Sequence, residues 1–141
     1  MFHKILFAFD GSAAGVRAFA TALELAQKFG AELVVLSVIE DLPRYAEESI
    51  GGVDEMLEQG KQHFAGVQRD LVAQAERAGI KIAAHVAPGH VAETVVSVAE
   101  RDKADLILLG GEGRTRTFRR VASMTGVQIA HHAPCAVLIL R

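Results

Sequence analysis

Five short runs are apolar at nearly every position: ILFAF (5–9), LVVLSVI (33–39), IKIAAHVA (80–87), LILLG (106–110) and AVLIL (136–140). A strand with one wet face alternates apolar and polar residues. Runs that do not alternate are buried on both faces, as in a parallel sheet covered by helices. Segments of helix length separate the runs. Residues 12–29 place Val16, Phe19, Ala20, Leu23 and Ala26 on one stripe and stop at Gly30. Residues from about 54 to 78 align Phe64, Val67, Leu71, Ala75 and Ala78 and stop at Gly79. A third helix starts near His90 and lines up Val91, Val95, Val98 and Ala99; a fourth runs from about Phe118 to His132 and ends before Pro134. The order is β-α-β-α-β-α-β-α-β. With right-handed crossovers it predicts an α/β fold, a three-layer doubly wound sandwich around a five-stranded parallel sheet; the strand order expected for it is 3-2-1-4-5. No internal repeat is visible, and one domain over residues 1–141 is expected.

The totals narrow the function classes. A chain of 141 residues can bury roughly two-thirds of its unfolded surface in one core. A formal charge of −2 gives no global field to attract nucleic acid or an anionic membrane, so neither is expected as a partner. The one cysteine, Cys135, allows no internal disulfide and suits a reducing compartment. The opening MFHKILFAFD is interrupted by Asp10 too soon for a signal peptide, and no apolar run approaches the roughly 20 residues of a membrane helix. The expected location is the cytoplasm.

In a doubly wound sheet, ligands bind beyond the carboxyl ends of the strands, where the strand order reverses. For the order 3-2-1-4-5, strands 1 and 4 flank that point. Strand 1 ends in FDGS (9–12) and strand 4 in LGGEG (109–113), so the two most loop-like strand exits meet at one crevice. Gly110, Gly111 and Gly113 let the backbone approach a ligand, and their N–H groups, with a following helix N-terminus, suit phosphate oxygens. Arg114, Arg116, Arg119 and Arg120 supply charge nearby. The plainer alternative is an ordinary turn beside a solvated basic face. Asp10 reads equally as an acceptor for a ribose hydroxyl, as a metal neighbour, or as a polar residue of the turn into the first helix; Ser12 reads as the N-cap of that helix. Residues 40–58, with seven acidic residues and one arginine, read as a solvated loop, with a lid as the alternative.

Signatures of catalysis are missing. There is no GxxxxGK[ST] loop, no GxGxxG at the first turn, and no G-x-S-x-G around Ser12, Ser37 or Ser123. None of the six histidines stands in a metal-ligand context, and His131 and His132 suit a helix C-terminus electrostatically. Cys135, after Pro134, reads as a structural thiol. A phosphoacceptor receiver needs an aspartate ending strand 3 and a lysine ending strand 5, where this chain has VAPGH and LILR. A flavodoxin needs a Ser/Thr-rich loop after strand 1, where FDGSAAG offers only Ser12.

The stretch KILFAFDGSAAGVRAFATALELAQKFGAELVVLSVIE resembles the opening of universal stress proteins. ADLILLGGEG and the terminal HHAPCAVLILR are similar to that family's last third. The resemblance implies an α/β sandwich, a cytoplasmic homodimer, and in many members ATP binding, with magnesium possible alongside. It implies a regulatory protein rather than an enzyme. The family's ATP-binding branch carries G-x2-G-x9-G-[S/T]. Here Gly110 and Gly113 fit the first half, while Ser123 and Met124 stand where the second half has glycine and a hydroxyl residue, with Thr125 next. The implied nucleotide contacts are Ala8, Phe9 and Asp10, the backbone of Val38, then Leu109, Gly110, Gly113, Ser123, Met124 and Thr125. The last strand, 136–140, is the implied dimer interface. The alternative is a dimeric interaction module that binds no nucleotide and acts through protein partners, which Ser123 and Met124 favour.

Overall fold

A computed structural model describes residues 1–40, 52–110 and 125–140. The elements are β1 (Lys4–Ala8), α1 (Ala13–Phe29), β2 (Glu32–Ile39), α2 (Gly52–Arg77), β3 (Ile82–Pro88), α3 (Val91–Asp102), β4 (Leu106–Gly110), α4 (125–132) and β5 (Ala136–Leu140). The five strands form one sheet in the expected order, β3-β2-β1-β4-β5. Every neighbouring pair is parallel, with Ala8 opposite both Leu36 and Leu109.

Strand alternation sorts the core into two layers. Ile5, Phe7, Phe9, Leu33, Val35, Leu106 and Leu108 face α1 and α2. Leu6, Val34, Leu36 and Ile107 face the other way, against Val95, Val98 and Ala99 of α3 and Ile129 of α4. β1, β2 and β4 are thus covered on both sides, which is why their sequences do not alternate.

The expectation of double burial fails at the two edge strands. Ala83, Ala84 and His85 of β3 and Ala136 and Ile139 of β5 are exposed. Each edge strand lacks a neighbour on its outer side, and the described helices leave part of it exposed, although α2 packs directly on β3. An apolar run there reflects β propensity and edge pairing as well as burial.

The first helix also packs differently from its apolar stripe. Gly15, Ala18, Phe19, Ala22 and Ala26 are its buried face, whereas Val16 is 48% exposed and Ala20 lies on the outside. The small residues carry the contact because α1 lies very close to the sheet. A methyl at Gly110 would overlap the Ala18 side chain, and one at Gly15 would press on the Phe9 ring. In α2, Leu71 and Ala75 are buried as expected, but Ala78 is exposed past the helix end, and the polar Gln68 occupies the buried stripe.

Candidate functional site

The β1 exit is built around a capped turn. The Phe9 amide continues the pairing with β2, donating to the Leu36 carbonyl at 2.9 Å, and its ring is buried against Phe7. Asp10 is exposed, and one of its carboxylate oxygens accepts the Ser12 amide at 2.9 Å. Gly11 between them has φ +85°, a conformation that favours glycine. Ser12 is the N-cap of α1, its hydroxyl accepting the Gly15 amide at 3.0 Å. The turn readings of Asp10 and Ser12 are therefore realised, and they leave Asp10 at the open edge of the sheet. The first turn of α1 carries no acidic residue, so its positive dipole end is not neutralised by its own side chains.

The exits of β2, β3 and β4 complete this edge. Ala8, Val38, Ala87 and Leu109, with Val91 and Ala92 at the start of α3, are partly buried apolar residues resting on the α3–α4 layer of the core. All six are half-buried and pack on the α3–α4 side of the sheet. Gly89 donates to the Ile39 carbonyl at 3.1 Å and ties the β3 exit to β2. Gly126 at the start of α4 lies against Ile139 and Leu109, which places Thr125 beside the β4 exit. Ala8, Asp10, Val38, Leu109, Gly110 and Thr125 are thus gathered at one carboxyl edge. Phe9 is different: its side chain turns into the α1–α2 core, so only its backbone faces this edge. Gly113, Ser123 and Met124, the arginines 114–120 and most of the acidic 40–58 segment lie outside the described residues.

Sequence reasoning misses two residues below this edge. Ser37, fully buried, donates to the Phe9 carbonyl at 2.7 Å, and Gln68 of α2 donates to Ser37 at 2.9 Å. The available signal is one polar residue inside LVVLSVI and another among the apolar positions of α2. Ala87, Val91 and Ala92 are missed as well, because small apolar side chains at strand and helix ends carry no distinctive pattern.

The titratable groups with a clearly shifted pKa lie apart from the edge. The Arg101 guanidinium, bonded at 2.9 Å, holds the Asp102 carboxyl below its usual range at the far end of α3. Burial pushes the Cys135 thiol up, so it stays protonated and unreactive near neutral pH. Among the described residues no cluster of three or more His, Cys, Asp or Glu side chains could hold a metal. Nor is any helix there long and apolar enough to cross a membrane. A groove of about 520 Å³ runs between α2 and β3 past Lys61, Arg69, Val72 and Ala84. It follows the line where α2 packs on β3. The convergent backbone and polar groups are at the carboxyl edge, the position that the topology selects.

The model of the universal stress protein family matches residues 1–141. The chain belongs to the universal stress protein family. A universal stress protein of Thermus aquaticus is 32% identical over 142 residues, covering 100% of both chains. One from Methanocaldococcus jannaschii is 30% identical over 145 residues, covering 100% of this chain and 83% of that one. The crystal structure of a family member from Burkholderia pseudomallei, 30% identical, superposes with a TM-score of 0.71 over 96% of this chain and 93% of the other. Two more distant structures carry adenine nucleotides. A universal stress protein in complex with cAMP is 22% identical, with a TM-score of 0.69 over 99% and 97% of the two chains. A family protein of Arabidopsis thaliana with AMP bound is 16% identical, with a TM-score of 0.69 over 98% and 90%. At those identities the likeness shows a shared α/β fold.

Proposed function

We propose that this protein is a stress-response regulatory protein that binds an adenine nucleotide, ATP in particular, at the carboxyl-edge crevice between β1 and β4. The observation that carries the reading is the combination gathered there: half-buried apolar residues beside an exposed carboxylate and the N-terminus of α1, whose first turn holds no acidic residue. A flat aromatic base suits the apolar side chains of Ala8, Val38, Ala87 and Leu109. The base would lie on these side chains, with the Val38 backbone at its polar rim. Asp10 stands where it can accept from ribose hydroxyls with its exposed carboxylate. The start of α1, whose Gly15 amide is held by Ser12, and the Gly110 backbone would offer their remaining N–H groups to phosphate oxygens. Magnesium would arrive with the phosphates, since Asp10 already gives one oxygen to its own turn. The AMP and cAMP complexes of two structures with this fold support the ligand class. Binding, not turnover, is the proposed activity, because the edge offers no paired acid and base for hydrolysis among the described residues.

Calorimetric titration with ATP and magnesium tests the reading. Wild type should bind in the micromolar range, and Asp10→Ala should bind about tenfold more weakly, the worth of one lost charge-assisted hydrogen bond. No heat of binding at several temperatures would sink the nucleotide reading. Equal affinity in the variant would move the ligand away from β1.

A second reading, a homodimer acting through protein partners, rests on β5. This strand closes one side of the sheet, with Ile139 46% exposed and Val127 of α4 64% exposed near it. Pairing of β5 with a second copy would cover both the open strand edge and these side chains. Light scattering at micromolar concentration should return twice the 15.1 kDa chain mass. A monomer would remove the dimer.

A further inference from the structure

The buried hydrogen-bond chain below the carboxyl edge has directions that its ends impose. The Phe9 and His85 carbonyls can only accept. The single Ser37 hydroxyl proton therefore goes to Phe9, at 2.7 Å, and Ser37 accepts from the Gln68 amide at 2.9 Å. The second amide proton of Gln68 goes to the His85 carbonyl at 3.0 Å. Both side chains are buried, Gln68 being 3% exposed, so no water competes for these bonds. One chain of contacts thus joins β3, α2, β2 and the last buried residue before Asp10.

Its terminus decides what it does. The Phe9 carbonyl belongs to the same peptide plane as the Asp10 amide. Holding that oxygen sets the plane, and the plane sets the direction in which Asp10 leaves the strand. The Phe9 amide is already fixed on Leu36, so the carbonyl is the remaining freedom of this residue. Helix α2 supports the same turn a second time, since the Val67 side chain lies under Gly11, 3.6 Å from where a Cβ would stand.

We propose that Gln68 is a positioning residue of the nucleotide site: through Ser37 it fixes the Phe9–Asp10 peptide plane and so aims the Asp10 carboxylate. This role rests on the crevice reading above. It also makes α2 the element through which a displacement elsewhere reaches the ribose end of the site.

The test pairs AMP titration with the amide NMR signal of Ser12, which reports the Asp10 turn without any ligand. Gln68→Met keeps the side-chain length and removes both donors. It should weaken AMP about tenfold and shift the Ser12 amide signal. Leu71→Ala, buried one turn further along α2, should destabilise the fold yet leave affinity within twofold and the Ser12 signal in place. Gln68→Glu should bind poorly while ionised and regain affinity, relative to wild type, as the pH falls and the carboxyl recovers one donor. Unchanged affinity in Gln68→Met beside a binding wild type overturns the proposal, as does an equal loss in Leu71→Ala. If wild type binds neither AMP nor ATP, the crevice reading fails and the Ser12 signal decides alone. A shift in Gln68→Met then keeps the positioning role, and an unmoved signal refutes it.

Discussion

Phe7→Ala should remove roughly 4 kcal/mol of folding stability, the usual range for emptying a fully buried aromatic site. In thermal unfolding that corresponds to a midpoint lower by about 15 °C for a domain of this size. Phe7 is fully buried in the central strand of the sheet. Its ring stacks on Phe9 at 6.0 Å and meets Phe19 of α1 at 5.3 Å. The site cannot collapse easily, because the sheet register holds Val35 and Leu108 on either side. Phe7→Leu should lose less than half as much, since most of the volume is kept. The consequence reaches the ligand edge: Phe9 would lose its stacking partner directly beneath the Asp10 turn. Chemical denaturation of the two variants measures this. A loss below about 1 kcal/mol for Phe7→Ala would mean that the aromatic layer is not a tightly packed part of the core.

The sheet is legible in the sequence for a physical reason. β1, β2 and β4 are wrapped on both faces, and double burial writes itself as an uninterrupted apolar run. The runs and the handedness of crossovers restrict the chain to a doubly wound sheet, and once its order is taken as 3-2-1-4-5 the crevice follows from the strand exits. What the runs do not reveal is how far each strand is covered. AVLIL and IKIAAHVA look like the others, yet β5 and β3 lie at the margins with residues in solvent. The face of α1 is misread because apolar size is a poor guide where the helix must come close. Large Val16 is turned outward while Gly15, Ala18 and Ala22 make the contact. At the site, Asp10 and Gly110 stand out as strand-exit residues. Ser37 and Gln68 do not, because a buried hydrogen bond joins residues 31 positions apart and leaves no local pattern. Only their polarity within apolar stretches hints at it.

Gly110 carries the sharpest test of what a strand-exit glycine is for. Read as sequence, it begins the G-x2-G stretch and invites a phosphate. In the fold, a Cβ on Gly110 would overlap the Ala18 side chain and come within 3.6 Å of Gly15, both on the buried face of α1. Gly110→Ala should therefore cost about 2 kcal/mol by overpacking, though its backbone conformation suits any residue. Ala18→Gly alone should cost about 1 kcal/mol, the usual loss inside a helix. Combined, the two should be less damaging than their sum by 1–2 kcal/mol on the order of a direct contact, because the second change makes room for the first. Nucleotide titration of the double variant separates the two roles. Recovery of stability and affinity together would make the glycine a packing residue, required so that α1 and its N-terminus can sit against the β4 exit. Recovery of stability with affinity still lost would mean that the ligand itself lies against the Gly110 backbone, where an added methyl excludes it.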